Sequence, residues 1–591
     1  MLEWYKELSD PLECFELRFG GNQDIFFKGE KVQELSKSHK ARIAIRTFKV
    51  LADALTLRGS YVPSGKTGMK LAEALKMFSP EIYGSMSDPR IVELKGLEYV
   101  IDRMPRGIEK YSRITLTAQE DFDNTSFAKV VSRKRRRVCY EVSEKEICFV
   151  ITRGQTEIYD ILTHITFLHI ESRKIFEQIG EKNRGVSLEW QELERIVVSE
   201  SEVLNGAELD QAIWNLSILL GRTFRETREG YEHIEKNKQE GGYNSGFFQI
   251  IYNLGKRCLE EQQEGQQLTI SFTPSLHEMI GHHRYASTWA ANIKSEIFRL
   301  GLQNRPIHLV SANMHSFKNL LYGYAALGGA NAKLPDDLYE MISTIRGQDE
   351  VINGYGKKHG LHIIKDTSGS SIDVHIIDTA SIDLQTLRPE LQVDCQHVAT
   401  QKTVILVMDY AFGTQAFQVM DELLCPCVID EKEVKLDIAS ISIMGKAGTL
   451  PGEKGDIMLA SAHVMEGTPH NYIVDNDLCV EDFDDPDMVF TGPMLTVLGT
   501  SLQNRAVLER FHESSWGAIG LEMEGAHYQR AISAAIIQGH IQPKMNVRYA
   551  YYASDNPLKS GQTLASGSMG EDGIAPTYMI TKVLLNKILS P

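Results

Sequence analysis

Three short segments of the sequence place acidic or small residues at the end of an apolar run. They read MGKAGT (444–449), LEMEGA (521–526) and ASDNPL (553–558). Side chains of these types could bind a sugar, hold a proton, or let a ligand lie against bare backbone. Ligands of α/β proteins sit at the carboxyl ends of strands, so these segments are the first candidates for chemistry.

Two acids, Glu522 and Glu524, flank Met523 between an apolar run and a helical segment. A buried carboxylate is costly unless it accepts hydrogen bonds. The paired hydroxyls of a ribose would supply such donors, and the Met523 side chain could pack against a sugar or base face. The alternative is an acid that is simply favoured at the positive end of a helix dipole.

Asp555 follows Ser554 at the end of an aromatic-rich run and precedes Asn556 and Pro557. A carboxyl group with a raised pKa can hold a proton and donate it as a general acid. Protonation of N7 helps a purine to leave, which is one reaction that such an acid would assist. The alternative is a Ser-Asp turn before a proline.

Small residues dominate the remaining segment, 444–449, which contains Gly445, Ala447 and Gly448 and is followed by Gly455-Asp456-Ile457. Small residues at a strand end let the backbone approach a ligand closely. Taken alone, the same pattern also fits a tight turn.

The order and spacing of these segments resemble the nucleoside phosphorylase superfamily, and in particular its nucleosidase branch. That branch has a Gly/Ala-rich turn before a Gly-Asp strand start, an E-M-E or D-M-E signature, and a strand ending in Ser-Asp. Here these features read GKAGTL…GDIMLAS, LEMEGA and ASDNPL. Gly413, in DYAFGTQA, resembles the glycine turn before the family's first sheet-packing helix.

Within the superfamily, the segment is most similar to AMP nucleosidases. Their Ser-Asp segment continues with Pro-Leu, as it does at Pro557-Leu558, and their catalytic domain opens with a strand that ends in an Asn-x-His turn. Asn313-Met314-His315 has that form. The resemblance covers about residues 275–591.

The resemblance implies an enzyme that hydrolyses the N-glycosidic bond of a purine nucleotide or nucleoside and releases the base and the (phospho)ribose. Asp555 would protonate N7 and Glu524 would hold the 2′- and 3′-hydroxyls. A water would attack from the opposite face, near Gly413, Asn313 and His315. His315 is a candidate to activate this water, and the alternative is a packed or structural histidine. No metal and no organic cofactor is implied. The implied substrate-binding residues are Asn313, His315, Gly413, Gly445, Ala447, Gly448, Glu522, Met523 and Ser554.

Two other activities stay open on the sequence alone. A phosphorolytic purine nucleoside phosphorylase would use phosphate as the nucleophile, and its branch has arginines near the first strand end, where only Arg305 lies here. A nucleotide sensor without catalysis would keep the ribose acids and lose the acid at Asp555. The sequence also departs from the family at 559–562 and at His463, where substrate groups are expected, so it leaves the 5′-phosphate undecided.

The elements that must position these residues are predicted from periodicity. After about residue 300, short β-rich runs alternate with helical segments such as 414–424 and 525–538. This alternation predicts an α/β fold with a mixed sheet flanked by helices. Residues 1–270 are predicted to form a mainly helical α+β domain for regulation or assembly, and residues 271–591 the catalytic domain.

Two polar stretches of the first part have simple interpretations. Residues 236–267, which include EQQEGQQ, have the composition of a linker or mobile loop. The basic run 133–137 is predicted to be a solvated turn between two strands.

Composition limits the partners. A formal net charge of −16 repels nucleic acid polymers, although it leaves room for a small anion in a local basic pocket. No apolar run reaches the length of a membrane helix, and the eight scattered cysteines suggest reduced thiols. We therefore expect a cytoplasmic homo-oligomer whose partners are a purine nucleotide or nucleoside and, for phosphorolysis, phosphate.

Overall fold

The computed structural model shows a mixed α/β protein built around two β-sheets. Among the described helices, none combines the length and apolar character that a membrane span needs. The structure describes residues 35–118, 122–132, 134–135, 137–180, 186–198, 206–239, 245–329, 334–429, 432–559 and 569–590.

The first sheet and most of the helices around it come from the first 272 residues. The helices are α1 (Lys37–Arg58), α2 (Lys66–Phe78), α3 (Leu94–Arg103), α4 (Gly154–Ile179), α5 (Leu188–Val198), α6 (Gly206–Leu220), α7 (Phe224–Gln239) and α8 (Phe247–Glu264). The strands are β1 (Ser60–Tyr61), β2 (Arg113–Thr117), β3 (Ala128–Val130), β4 (Val138–Ser143), β5 (Glu146–Val150) and β6 (Thr269–Phe272).

These six strands form a mixed sheet in the order β1-β6-β2-β5-β4-β3. Helix α4 is buried along almost its whole length and packs against α2 and α8. Its sequence explains this, because apolar residues occur on every face rather than along one stripe. α4 is therefore the central helix of this part of the molecule.

The second part carries the longer sheet. Its strands are β7 (Ile307–Ser311), β8 (Leu361–Ile364), β9 (Val374–Asp378), β10 (Val404–Met408), β11 (Cys427–Ile429), β12 (Lys432–Val434), β13 (Ile438–Thr449), β14 (Ile457–Met465), β15 (Asn471–Ile473), β16 (Val489–Thr496), β17 (Gly520–Glu522) and β18 (Asn546–Asp555). Its helices are α9 (Pro274–His282), α10 (Arg284–Arg299), α11 (Met314–Lys318), α12 (Tyr324–Ala326), α13 (Leu338–Ile345), α14 (Asp349–Lys358), α15 (Cys395–Gln401), α16 (Gln415–Leu424), α17 (Arg505–Glu513), α18 (Gly525–Ile537) and α19 (Ile574–Leu589).

Ten of these strands form one mixed sheet in the order β15-β14-β16-β17-β13-β7-β10-β9-β8, with β18 pairing to both β13 and β14. Helices α10, α16 and α18 pack together on one hydrophobic cluster, while α11, α13 and α19 contribute to another. The prediction of a mixed sheet flanked by helices is confirmed. The apolar runs found after residue 300 are its central strands.

The hydrophobic cores of the two parts are continuous. One cluster runs from Ala41 to Tyr285 and also includes Leu495, Leu521 and Met523 of the second part. The predicted boundary near residue 270 falls within β6, which pairs with β1 and β2 of the first sheet. The division into two domains at that residue stays a prediction.

The interpretation of 236–267 as a linker is wrong. Helix α7 continues to Gln239, and α8 occupies Phe247–Glu264 and buries Ile250, Ile251 and Leu254. The polar residues at both ends of the segment hid this apolar stripe, whose spacing is that of one helix face.

The prediction of a solvated turn at residues 133–137 is only partly correct. This run does connect β3 to β4, but Arg137 is 8% exposed and its Nη2 lies 2.5 Å from Asp160 Oδ2 on α4. The buried carboxylate draws the guanidinium out of solvent, because a buried acid needs a donor or a cation beside it. Residues 133 and 136 lie outside the described residues.

We expect Ile251→Ala to lower the free energy of unfolding by about 2–5 kcal/mol, because it leaves a cavity between α8 and α4. Ile251 has no exposed surface, whereas Ile537 is 85% exposed and provides a matched control. Ile537→Ala should stay within about 0.5 kcal/mol of wild type in denaturant titrations. Equal effects of the two substitutions would contradict the burial of α8.

Candidate functional site

The predicted site residues lie around one end of the long sheet. Strands β7, β10, β13 and β18 run parallel where they pair, so their carboxyl ends reach the same edge. Asn313 follows β7, Gly413 follows β10, and Asp555 ends β18. The sheet topology therefore brings together three strand ends that are far apart in sequence.

Strand register fixes the spacing between the two acidic segments. Gly448 of β13 is paired on one side with Asp555 of β18 and on the other side with Leu521 of β17. Two strand spacings, about 10 Å, thus separate the backbone at Asp555 from Leu521, three residues before Glu524. A side chain at Gly448 would press on Leu521 and Pro557, so this position must stay small.

Glu524 stands at the start of α18 and is tied to the end of β10. Its Oε1 accepts a hydrogen bond from the backbone N–H of Gly413 at 2.9 Å. Burial raises the pKa of Glu524 to about 8, and the charge of Glu522 adds to the rise. The Gly413 N–H and the positive charge of Arg135 act in the opposite direction. In the free protein, a carboxyl group with this pKa is mostly protonated at neutral pH.

Glu522 is held differently. It is 2% exposed and accepts hydrogen bonds from the backbone N–H groups of Glu524 and Gly525 and from the Thr496 hydroxyl. Burial raises its pKa, but these donors and the nearby His463 hold the pKa below its ordinary value. Glu522 is thus an ionised acid whose contacts fix the turn that carries Glu524.

His463 and Met523 complete the buried side of this turn. His463 has no exposed surface, and its Nδ1 lies 3.5 Å from Glu522 Oε1. Met523 is 6% exposed and belongs to the core cluster shared with the first part of the chain. His463, which the sequence placed where substrate groups are expected, packs behind Glu522. The role of Met523 against a sugar or base stays a prediction.

Asp555 is a buried acid with one oxygen left over. It is 2% exposed, and its Oδ1 accepts a hydrogen bond from the Ser554 hydroxyl. Its Oδ2 is buried and has no hydrogen-bond partner within the described part of the chain. Burial raises the pKa of Asp555, while Ser554 and the positive charge of Lys446 oppose the rise.

The turn after Asp555 is made by its neighbour. Asn556 donates from Nδ2 to the carbonyl oxygens of Leu450 and Gly452, and its Oδ1 accepts from the Leu558 N–H. Since Asn556 supplies these bonds, the Asp555 carboxyl is not used to form the turn. Residues 560–562, where the sequence departs from the family pattern, lie outside the described residues.

A cleft of about 470 Å³ lies beside Lys446. Asn313, His315, Lys446 and Tyr552 are among the residues that line it. Asn313 caps α11 by accepting from the His315 N–H, and the His315 ring lies 3.3 Å from Asp349. Gly413, Glu524 and Asp555 are not among the lining residues. The cleft therefore brings Asn313 and His315 together without Gly413, Glu524 and Asp555.

Two functional candidates were missed by sequence reasoning. Lys446 lies inside the Gly/Ala-rich segment, but its alternation with small residues gave no sign of a role. Arg135 comes from the first sheet, and its guanidinium lies 5.2 Å from the ring centre of Phe412, the residue before Gly413. The only available signal for Arg135 was the basic run itself.

Helix α4, from the first part of the chain, also contacts the turn at Gly413. The Thr156 backbone N–H on α4 donates to the Thr414 hydroxyl at 3.1 Å, and the Thr414 N–H donates to the Thr156 hydroxyl at 2.9 Å. Gly413 between them has φ +55°, and a Cβ there would overlap the Thr156 side chain. The close approach of α4 thus requires glycine at this turn.

Comparison with known proteins gives a family without an assigned activity. Residues 69–331 and 340–590 match DUF6909, described as a family of unknown function. No curated protein matches the chain significantly.

Several solved structures resemble about half of the chain. A 5′-methylthioadenosine/S-adenosyl homocysteine nucleosidase from Campylobacter jejuni is 13% identical and has a TM-score of 0.30, covering 49% of this chain and 100% of its own. A futalosine hydrolase mutant from Helicobacter pylori is 10% identical with a TM-score of 0.26, covering 48% and 98%. A uridine phosphorylase from Schistosoma mansoni in complex with thymidine is 14% identical with a TM-score of 0.29, covering 48% and 86%. TM-scores this low assign no activity to the chain.

Gly413→Ala should destabilise the protein more than an alanine at a comparable but open glycine. Gly517 has φ +54°, and a Cβ added there would meet nothing within 4 Å. Gly517→Ala therefore measures only the cost of placing alanine in the left-handed conformation, about 1–2 kcal/mol. At Gly413 the overlap with Thr156 adds about 1–3 kcal/mol. Equal losses of unfolding free energy in denaturant titrations would contradict the close contact with α4.

Glu524→Gln should make stability less dependent on pH. Folding raises the pKa of Glu524 from 4.5 to about 8, so the folded state keeps a proton that the unfolded state has released within this window. The stabilisation that this proton gives to the folded state is complete below pH 4.5 and is lost as pH rises through 8. The variant should therefore gain stability relative to wild type between pH 5 and 8 in thermal melts. The exposed Glu453 provides a control for the loss of an acidic side chain, through Glu453→Gln. A difference between Glu524→Gln and wild type that stays constant across this pH range would refute the raised pKa of Glu524.

Proposed function

The chain belongs to the DUF6909 family, and from the geometry of its candidate site we propose that it hydrolyses the N-glycosidic bond of a purine nucleotide or nucleoside. In this reaction the bond between C1′ of the ribose and N9 of the base breaks, and its electron pair leaves with the base. Water supplies the oxygen that replaces the base on C1′. The products are the free purine and ribose or ribose phosphate.

The observation that carries the proposal is the state of Asp555. A buried carboxyl group with a raised pKa and an unpartnered Oδ2 is suited to hold a proton and donate it to a substrate. Such an acid would protonate N7 as the base departs, which neutralises the charge that builds up on the purine. The Ser554 hydroxyl orients the other oxygen and leaves Oδ2 for the substrate.

Glu524 is the proposed partner of the sugar. The Gly413 N–H holds Oε1, so the orientation of the carboxylate is fixed before any substrate binds. Paired ribose hydroxyls would donate to this carboxylate, and such hydrogen bonds favour its ionised form. The negative charge then lies beside the ribose, where it stabilises the positive oxocarbenium character of the transition state.

The other predicted residues have supporting parts in the same proposal. Glu522 and Met523 shape the sugar side from behind, because Glu522 binds the backbone of the turn that carries Glu524. Gly445 and Ala447 leave the strand surface low enough for a flat base to lie against it, and Gly448 stays small because Leu521 and Pro557 pack against it. Asn313 and His315 would face the attacking water, and His315 is the candidate to accept the proton that the water loses.

The order of the motifs supports the same activity. The segments that resemble the nucleosidase signatures lie on β13, at the start of α18 and at the end of β18. The Gly448 pairings connect all three. Motifs that follow one another along the sequence therefore also lie on neighbouring elements of the fold. Unrelated turns would have no reason to be neighbours in this way.

Asp555→Asn should keep the shape of the site and remove the proton. We expect kcat for base release to fall about 10²–10⁴-fold with little change in affinity, while Glu524→Gln should weaken substrate binding as well as rate. The measurement is chromatography of free base from AMP, adenosine, IMP and GMP, with the full-length protein in phosphate-free buffer.

Asp475→Asn, at an exposed aspartate, is the matched control and should leave turnover unchanged. Base release that requires added phosphate would point to phosphorolysis instead of hydrolysis. If Asp555→Asn turns over within about threefold of wild type, Asp555 is not the general acid. A threefold change in rate corresponds to only about 0.65 kcal/mol in activation free energy.

A further inference from the structure

Helix α6 leaves large apolar side chains in solvent on a side that its own core does not cover. Its buried side includes Ile213, Leu216 and Leu220. On another side, Trp214 and Ile218 are 55% and 49% exposed. A surface helix normally presents polar residues outside its buried stripe, whereas a helix that is apolar on several sides is normally covered on each of them. The sequence of α6 is therefore typical of a helix with a second partner.

An aromatic pair extends this side of α6 onto α7. The ring centre of Trp214 lies 6.3 Å from that of Phe224, the first residue of α7. The guanidinium of Arg228 lies over Phe224, 6.0 Å from the ring centre, and also bonds to Asp210 of α6. Asp210, Trp214 and Ile218 follow one another at intervals of four residues, so they share one helix face. These five residues form one surface, which we call the α6–α7 patch.

Exposed charges of both signs surround the apolar centre of the α6–α7 patch. Helix α7 carries four acids and four lysines or arginines, so its charges balance although the whole chain has a formal net charge of −16. Arg225 pairs with Glu229, and their side chains are 88% and 62% exposed. Arg228 pairs with Glu232, whose side chain is also 62% exposed. An apolar centre with an aromatic anchor and a polar rim is the composition of a protein–protein interface.

The balance of charges favours a second copy of this chain as the partner. In a two-fold contact the same surface lies on both sides, so a surface with one sign of charge would repel its copy. The cations and acids of α7 alternate on one face, so each copy offers acids to the cations of the other. Helix α1 gives the contrast. It exposes Val50 and Leu57, but it carries six lysines or arginines and one acid, so two copies of α1 would repel each other.

We propose that the α6–α7 patch is a two-fold self-association surface, on which Trp214 of each copy packs against the patch of the other. Because its apolar centre is small, the contact belongs to the weak and reversible class, with a dissociation constant on the order of 10 µM. The inference does not depend on the proposed glycosidic cleavage, since it concerns a surface of the first part of the chain.

The test measures the molar mass of the full-length protein by light scattering and its association by sedimentation, between about 1 and 100 µM. The mass of wild type should double as the concentration rises through the dissociation constant. Trp214→Glu places a charge at the centre of the contact and should raise the dissociation constant about 30-fold or more. Trp516, which is 43% exposed in the second part of the chain, provides the matched control, and Trp516→Glu should leave the dissociation constant unchanged.

Two charge variants test whether the partner is a second copy. Arg225→Glu with Arg228→Glu makes this face of α7 acidic, and Glu229→Lys with Glu232→Lys makes it basic. Each variant alone should associate about tenfold more weakly than wild type, because like charges then meet. An equal mixture of the two variants should recover the association of wild type, because an acidic face then meets a basic one. Mixing would not repair a variant that has lost its fold.

A wild-type mass that stays constant over the whole concentration range would overturn the proposal. Equal dissociation constants for Trp214→Glu and Trp516→Glu would also overturn it, as would a mixture that associates no more tightly than either charge variant alone. If Trp214→Glu leaves association unchanged but melts well below Trp516→Glu, the chain itself covers Trp214, and the proposal is again rejected.

Discussion

The arrangement of the candidate site depends on the hydrogen bond from the Gly413 N–H to Glu524 Oε1. This bond connects the end of β10 to the start of α18, two elements separated by more than a hundred residues. Gly413 can make this bond only in its left-handed conformation and only without a side chain, because Thr156 of α4 lies against it. One backbone N–H thus depends on the packing of both halves of the chain.

The acids near this hydrogen bond differ in the direction of their pKa shifts because different hydrogen-bond donors surround them. Glu522 receives backbone N–H groups, a hydroxyl and a nearby imidazole, so it stays ionised although it is buried. Glu524 has fewer donors and stands beside the charge of Glu522, and Asp555 keeps one oxygen without a partner. Burial therefore raises the pKa of these two groups. Buried carboxyl groups with raised pKa values are those suited to acid–base chemistry.

The first part of the chain contributes contacts at the candidate site. Its core continues into the turn at Met523, its longest buried helix begins beside Gly413, and its basic connection places Arg135 over Phe412. A substitution in the first sheet can therefore change the electrostatics of the acids in the second. This coupling offers a physical route by which the first part could affect substrate choice.

The sequence by itself determined the elements and the candidate residues of the second part. Short apolar runs with small or acidic residues at their ends predicted the strands of a mixed sheet, and β13, β18 and the start of α18 lie where those runs placed them. This worked because strand periodicity and the chemistry of turns are local properties of the chain. Local patterns failed at 247–264, where polar ends concealed a buried helix face.

Only the tertiary structure decided which of these residues meet. That Gly448 pairs with both acidic segments, that Glu522 is satisfied while Asp555 Oδ2 is not, and that Arg135 reaches Phe412 all depend on contacts between distant segments. The basic run shows the reason most clearly. Composition predicts a solvated turn for five cationic residues, but burial depends on what packs against them, and Asp160 on α4 is not a neighbour in sequence. Electrostatic partners act through space, so the sequence names the charges and the fold decides which of them are near one another.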